Sequence, residues 1–164
     1  MKKCPPFENG KRYYPLSQHY RECFGEKVYK VSISVAKSCP NREGLNGTNV
    51  CIFCDEWGSA AYHQLSNFPI LKQIQINREA IRKRYKAEKF LIYFQAYTNT
   101  FGHFSSLENL YNKALNEIDV VGLVIGTRPD CLPKRILYKF SKLSEKTYLS
   151  VELGAQTFDD HQLN

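Results

Sequence analysis

Four stretches of the chain have the hydrophobic pattern of β-strands. Residues 28–35 alternate apolar and polar positions and are rich in β-branched side chains, which predicts a strand. Residues 89–96 and 120–125 are almost continuously apolar, the pattern of strands buried on both faces. Residues 148–153 are also expected to form a strand, which brings the predicted number to four.

The residues between these strands have helical patterns. The first predicted helix has Ser66 or Asn67 as its cap and ends near Lys86. A capping box at residues 105–108, followed by apolar residues at helical spacing, predicts the second helix. Pro133 is expected to open the third helix.

The order of elements is β-α-β-α-β-α-β, which predicts an α/β fold with parallel strands and right-handed crossovers. Both a barrel and an open doubly wound sheet have this order. The length of 164 residues favours one domain, which we divide into a basic, aromatic N-terminal arm at residues 1–27 and a core at residues 28–164. The chain stops soon after the fourth strand, and four strands do not close a parallel barrel. We therefore expect the first part of a larger α/β domain.

Composition and charge narrow the class of protein. A hydrophobic content of 43% with 24% charged residues excludes a disordered, collagen-like or coiled-coil chain. The longest apolar run, residues 120–126, is too short to span a membrane. The N-terminus lacks the apolar stretch of a secretory signal, so we expect a cytoplasmic protein with no membrane contact. The net charge of +7 favours a polyanion such as RNA as partner, with general solubility as the alternative explanation.

The first predicted helix and the residues after it are strongly basic. A solvated helix face is the usual explanation for such a run. Together with the N-terminal arm, it could instead follow an RNA backbone. The seven basic residues are Lys72, Arg78, Arg82, Lys83, Arg84, Lys86 and Lys89.

Three of the six cysteines lie in one loop directly after the first strand. Cys39, Cys51 and Cys54 have the spacing C-x11-C-x2-C, in which the C-x2-C pair can converge on one metal. The glycine-rich interval allows the third cysteine to fold back. In a reducing compartment such clustered thiols indicate metal binding or catalysis. Three thiolates suit a [4Fe–4S] cluster whose fourth iron is left open for a small ligand.

Other interpretations of the cysteines stay open. A fourth ligand would make a structural zinc site instead. The candidates for that ligand are Cys4, Cys23 and His63. A redox dithiol formed by the C-x2-C pair would leave Cys39 unexplained. Cys131 lies on an apolar segment and is expected to be a core residue.

Several stretches of the chain carry a family resemblance, and together they span nearly the whole chain. They are residues 24–31 (FGEKVYKV), the cysteine loop with residues 39–44 (CPNREG), residues 93–100 (YFQAYTNT), and residues 126–130 (GTRPD) followed by residues 151–157 (VELGAQT). In this order they resemble the radical S-adenosylmethionine (SAM) superfamily and, within it, the YtqA/YhcC-type group related to the Elongator catalytic subunit. The resemblance implies a partial (βα)6 TIM-like barrel, here with about four βα units.

The resemblance also implies cofactors and partners. Cys39, Cys51 and Cys54 would hold three irons of a [4Fe–4S] cluster, and SAM would bind the fourth. Reductive cleavage of SAM would give methionine and a 5′-deoxyadenosyl radical that abstracts a substrate hydrogen. An electron donor such as flavodoxin or ferredoxin is implied. By analogy with Elongator, the substrate would be a wobble uridine of tRNA.

Residues at the carboxyl ends of the strands are implied to contact SAM. Phe53 matches the family's aromatic residue expected near adenine. Glu152 would accept from a ribose hydroxyl, and Arg128 would pair with the SAM carboxylate. A local turn with Asp130 is the alternative for Arg128. The other candidates are Thr98, Asn99 and Gln156, and residues 97–100 depart from the superfamily's usual Gly-Gly-Glu stretch.

Two further functions stay open. The chain could be a non-catalytic, cysteine-ligated zinc domain that binds nucleic acid, and it would then be colourless and stable in air. It could also be an inactive or split fragment that needs the missing C-terminal half of the barrel as a separate chain.

Overall fold

The computed structural model describes residues 12–45, 47, 50–61 and 65–163. Eight helices and strands make up the main fold of this part of the chain, and a short helix, α5 (Asp160–Leu163), follows them. In chain order the eight are α1 (Leu16–Phe24), β1 (Val28–Ile33), α2 (Ile70–Tyr85), β2 (Lys89–Phe94), α3 (Phe104–Leu115), β3 (Val120–Thr127), α4 (Lys134–Ser144) and β4 (Tyr148–Leu153). A 3-10 turn at Pro129–Cys131 precedes α4.

The four strands form one parallel sheet in the order β1-β2-β3-β4. The predicted α/β fold with parallel strands is therefore confirmed. Helices α2, α3 and α4 all pack into one apolar cluster on the same side of the sheet, which we call the outer face. A doubly wound sheet has helices on both faces and reverses its strand order at a switch point, whereas these strands follow one another in a single direction.

The outer face holds most of the apolar core. Alternate residues of β1 to β3 point into it, because successive side chains of a strand lie on opposite faces. Its fully buried members include Val31, Ile74, Phe90, Ile92, Phe94, Tyr111, Leu123 and Ile125. Burial of each large side chain contributes about 1.5–3 kcal/mol, so this layer supplies most of the stability.

The opposite, inner face carries a smaller apolar cluster at the amino ends of the strands. Tyr20 of α1 packs there against Leu91, Val124 and Tyr148. The sequence analysis predicts no helix in the N-terminal arm, whereas the structure has α1 there. This helix ends before Gly25, whose φ of 74° is the left-handed conformation that glycine adopts without strain. Residues 1–11 of the predicted arm lie outside the described residues.

Two helices begin elsewhere than predicted. The cap expected at Ser66 or Asn67 is wrong, because Pro69 is the N-cap residue of α2 and its carbonyl accepts the first helical hydrogen bonds. The capping box expected at residues 105–108 is also wrong, because α3 begins one residue before it with His103 as the N-cap. In both helices an extended residue just before the helix replaces the predicted polar cap.

The strand bounds differ by two residues at three places. β1 and β2 end at Ile33 and Phe94, and β3 continues to Thr127, whereas β4 has its predicted bounds. The segments that follow β1 and β2 leave the sheet early and form the walls of a cavity at this edge. Within the described part of the chain, no helix is both long and apolar enough to cross a lipid bilayer.

Candidate functional site

A cavity of about 490 Å³ lies at the carboxyl ends of the strands. Cys39, Cys51 and Cys54 line it, and all three are free, partly buried thiols. The cysteine loop, which the sequence places directly after β1, therefore lies beside the strand ends. The cavity is also lined by five of the residues implied to contact SAM: Phe53, Thr98, Arg128, Glu152 and Gln156.

The cysteine loop is fastened to the end of β2 through Tyr97. The Tyr97 hydroxyl donates to the carbonyl of Glu56 at 2.6 Å, and its backbone N–H donates to the carbonyl of Gly58 at 3.2 Å. Gly58 has a φ of 64°, and a Cβ at this position would overlap the Tyr97 ring. Tyr97 itself has a φ of 56°, which is uncommon for a bulky residue. Only glycine therefore fits under the ring at position 58.

Local hydrogen bonds shape the C-x2-C turn. The N–H of Cys54 donates to the carbonyl of Cys51 at 3.0 Å, which closes the turn. The Asp55 carboxylate then accepts from the N–H groups of Trp57 and Ser59, at 2.9 and 2.8 Å. Such a side-chain turn is typical of aspartate in loops, and it directs the chain from Cys54 towards Gly58.

Two side chains donate to cysteine sulfurs. Asn41 Nδ2 donates to Cys51 Sγ at 3.2 Å, and Arg42 Nη2 donates to Cys54 Sγ at 3.7 Å. The hydrogen bond with Cys54 raises the pKa of Arg42. Sequence reasoning missed both residues, although they belong to the CPNREG stretch of the cysteine loop.

The three thiols share the cavity but are not drawn together around one point. Among the residues that the structure describes, no three His, Cys, Asp or Glu side chains are close enough to hold a metal ion as they stand. The donor set nevertheless fits a soft metal, because thiolates select zinc or iron–sulfur clusters over hard cations. Asn41 and Arg42 place N–H donors at two of these sulfurs.

The remaining cysteines lie elsewhere or are buried. Cys23 on α1 is 3.5 Å from His19 Nε2, and His19 Nε2 is 3.1 Å from the hydroxyl of Tyr148, at the amino end of β4. Cys23 is thus at the opposite end of the sheet from the cavity and does not complete a fourth ligand position. Cys131 is buried, which confirms it as a core residue, and burial raises the pKa of its thiol to about 11. Cys4 and His63 lie outside the described residues.

Arg128 lines the cavity, but its guanidinium forms a fork with Asp130. Its Nε and Nη2 donate to the two carboxylate oxygens at 2.8 and 2.7 Å. This hydrogen-bonded pair lowers the pKa of Asp130 to about 2. The local alternative for these two residues is therefore present, and a ligand carboxylate would have to share Arg128 with Asp130.

Glu152 lies on the inner face with two partners of its own. It forms an ion pair with Lys30 of β1, and the Lys30 ammonium lies 4.6 Å from the centre of the Tyr93 ring. Burial raises the pKa of Glu152, but hydrogen bonds from Lys30 and Tyr93 outweigh it, so that the net pKa is lowered. Glu152 is therefore an ionised carboxylate at the floor of the cavity.

Asn99 is not among the residues that line the cavity, and its side chain is used inside the protein. The residue is only 2% exposed. Its amide nitrogen donates to the carbonyls of Phe94, Ala96 and Gly126, at 2.9, 3.0 and 3.0 Å. Asn99 thus joins the ends of β2 and β3 and has a structural role beneath the cavity wall.

Ion pairs engage part of the basic run at residues 72–89. Three of its seven residues are paired, and they lie near the amino ends of β2 and β3, away from the cavity. The pairs are Arg78 with Glu117, Arg82 with Glu79, Glu88 and Asp119, and Lys89 with Asp119. For these three residues, the contacts favour the explanation of a solvated, salt-bridged helix face.

The chain is similar to curated proteins from several microorganisms. It is 39% identical over 153 residues to the uncharacterized protein YtqA of Bacillus subtilis (strain 168). This match covers 93% of the present chain and 48% of YtqA. It is 35% identical over 142 residues to protein YhcC of Escherichia coli (strain K12), and the match covers 86% of this chain and 45% of YhcC. It is 30% identical over 160 residues to the uncharacterized protein MJ0486 of Methanocaldococcus jannaschii, and the match covers 96% of this chain and 48% of MJ0486. The chain therefore spans about half the length of the curated relatives it matches.

No protein-family model matches the chain. No solved structure matches it either.

Proposed function

We propose that this chain carries the cofactor-binding part of a radical SAM enzyme, in which Cys39, Cys51 and Cys54 hold a [4Fe–4S] cluster. The observation that supports the proposal is that the three thiols line one cavity together with Phe53 and Glu152. Such a cluster, when bound, supplies the electron that cleaves SAM into methionine and a 5′-deoxyadenosyl radical.

The same proposal includes the fold. The sheet would be part of a (βα)6 TIM-like barrel, with the inner face towards the barrel axis. The sequential strand order and the common side of α2, α3 and α4 support this arrangement. A barrel of this kind gathers its functional residues at the carboxyl ends of the strands, which is the edge that carries the cavity.

The chain's own residues would bind and orient SAM. Phe53 is 62% exposed beside the cysteines and would stack on the adenine ring. The ionised Glu152 would accept from a ribose hydroxyl, and Gln156 would offer polar groups on the same walls. Thr98 is only 1% exposed and would contribute to the shape of the wall. A cavity of about 490 Å³ lies within the range of small-molecule sites. Arg128 would bind the SAM carboxylate while it keeps Asp130 as a neighbour.

The proposed substrate is tRNA in the cytoplasm, with flavodoxin or ferredoxin as electron donor. The net charge of +7 supports a polyanionic substrate. The ion pairs of α2 argue that the helix itself is not the main contact surface. Filter binding of tRNA at several salt concentrations tests this part, since phosphate contacts make the affinity fall steeply with salt.

The experiment that tests the enzyme proposal is a SAM-cleavage assay. The protein is reconstituted with iron and sulfide without oxygen, reduced with dithionite and incubated with SAM, and 5′-deoxyadenosine is measured by chromatography. The wild type is expected to form it, and a Cys39→Ala variant is not. A colourless protein that retains one zinc would contradict the proposal and favour a zinc domain. A cluster without cleavage would indicate a fragment that lacks the rest of the site.

A further inference from the structure

Asn41 and Arg42 lie on the segment that begins with Cys39 and donate to the other two cysteines. Asn41 Nδ2 is 3.2 Å from Cys51 Sγ, and Arg42 Nη2 is 3.7 Å from Cys54 Sγ. We propose that these two side chains are positioning residues, which hold the cysteine loop for cluster binding and raise the reduction potential of the bound cluster. The inference rests on the proposed function.

Arg42 makes contacts in three directions. Its guanidinium donates to the sulfur of Cys54 and to the backbone carbonyl of Asp55, and it lies 5.1 Å from the centre of the Tyr97 ring. It therefore connects the C-x2-C turn with the end of β2. A planar guanidinium with several fixed donors suits this position, whereas an ammonium presents a single point of charge.

The backbone around these residues holds them in place. The N–H of Glu43 donates to the carbonyl of Cys39 at 3.1 Å, and the N–H of Leu45 donates to the carbonyl of Pro40 at 3.0 Å. Asn41 and Arg42 thus lie on a tight, hydrogen-bonded turn. Consequently these hydrogen bonds fix the position of the two donors relative to Cys39.

Donors at the sulfurs have a predictable electrostatic effect. Reduction adds one electron to the cluster and its thiolates and makes them more negative. N–H groups aimed at the sulfurs, and the positive charge of Arg42, stabilise the reduced form more than the oxidised form. Hydrogen bonds to sulfur are among the factors that set the potentials of iron–sulfur clusters, and residues behind the ligands also affect metal affinity. Removal of either donor should therefore shift the potential to a more negative value.

The test is a redox titration of the reconstituted protein in which electron paramagnetic resonance (EPR) detects the reduced cluster. It is carried out on the wild type, Arg42→Gln and Asn41→Ala. Arg135→Gln is the matched control. Like Arg42→Gln, it removes one positive charge and one cation–π contact, here with the ring of Phe104 on the outer side of the sheet. Iron content and circular dichroism are measured for each protein. We expect both loop variants to have a more negative midpoint potential than the wild type and the control. Arg42→Lys keeps the charge and should fall between Arg42→Gln and the wild type.

The outcomes separate the inference from the function on which it rests. Potentials of Arg42→Gln and Asn41→Ala equal to the wild-type value, with full iron content, would overturn the inference and leave the proposed function intact. Loss of iron uptake in both loop variants, with normal circular dichroism and a normal control, supports the holding role. A wild-type chain that takes up no iron would overturn the proposed function, and the inference with it.

Discussion

Lys30 on β1 and Glu152 on β4 form an ion pair across the inner face of the sheet, although two strands lie between them. Three strand spacings correspond to about 14 Å. The strand register also places Lys30 level with Tyr148 rather than with Glu152. The two side chains bridge this separation on the inner face, and Glu152 of the pair lines the cavity.

A double-mutant cycle tests this pair. Lys30→Met, Glu152→Gln and the double variant should give a coupling of about 0.5–1 kcal/mol in the free energy of unfolding at pH 7, a value already reduced for solvent screening of the 41% exposed Glu152 side chain. The folded-state pKa of Glu152 is lowered. The coupling is therefore present above the unfolded-state pKa of glutamate and is lost as the pH falls through the folded-state value. Urea unfolding at pH 7 and at low pH measures it, and no coupling at pH 7 would contradict the contact.

Gly58→Ala should destabilise the protein more than Gly44→Ala. Both glycines have a positive φ, which costs alanine about 1 kcal/mol. At Gly58 the added Cβ also meets the Tyr97 ring, which adds about 1–3 kcal/mol, whereas no described atom lies within 4 Å of a Cβ at Gly44. Urea unfolding compares the two variants, and equal losses of stability would show that the Tyr97 ring does not clamp the loop. A Gly58→Ala/Tyr97→Ala double variant should recover part of the difference.

Asn99→Ala should lower the free energy of unfolding by about 3 kcal/mol, because three buried or partly buried carbonyls lose their donor. Asn99→Asp should cost more, since an ionised carboxylate would face the same carbonyl oxygens. Asn112 is exposed on α3, and Asn112→Ala is the control, with an expected change in the free energy of unfolding within about 0.5 kcal/mol. If Asn99→Ala behaves like the control, Asn99 does not join β2 to β3 and its side chain is available to a ligand.

Cys131 should react slowly with iodoacetamide. Its thiol is only 7% exposed and burial raises its pKa to about 11, so about one molecule in a thousand carries the thiolate at pH 8. The exposed Cys23 should be alkylated much faster. Peptide mass spectrometry over time measures both rates in one sample. Similar rates would mean that the 3-10 turn opens and that Cys131 is not a core residue.

Local sequence patterns predicted most of the helices and strands of the fold. All four strands and the three helices between them lie where apolar runs and helical periodicity predict them, because these patterns reflect which faces are buried. The nine-residue helix α1 is different. Its apolar residues Leu16, Tyr20 and Phe24 lie at helical spacing, and Tyr20 and Phe24 pack on the inner face, so the signal was present in the sequence and was missed.

The site was predictable only in part, for a related reason. The spacing of the cysteines and the strand-end positions of Phe53 and Glu152 are visible along the sequence. The partners of the side chains are not, because they come from distant segments: Lys30 and Glu152 are 122 residues apart in the sequence. Likewise, sequence does not show whether Arg128 faces a ligand or Asp130, since both are compatible with the same local motif.

The central claim is that Cys39, Cys51 and Cys54 hold a [4Fe–4S] cluster that binds SAM. The most direct test is electron paramagnetic resonance of the anaerobically reconstituted, reduced protein with and without SAM. A variant with all three cysteines changed to alanine is the control. We predict a [4Fe–4S]⁺ signal that shifts when SAM is added and is missing in the variant. A protein that retains zinc and shows no cluster signal, or a signal that persists in the variant, would contradict the claim.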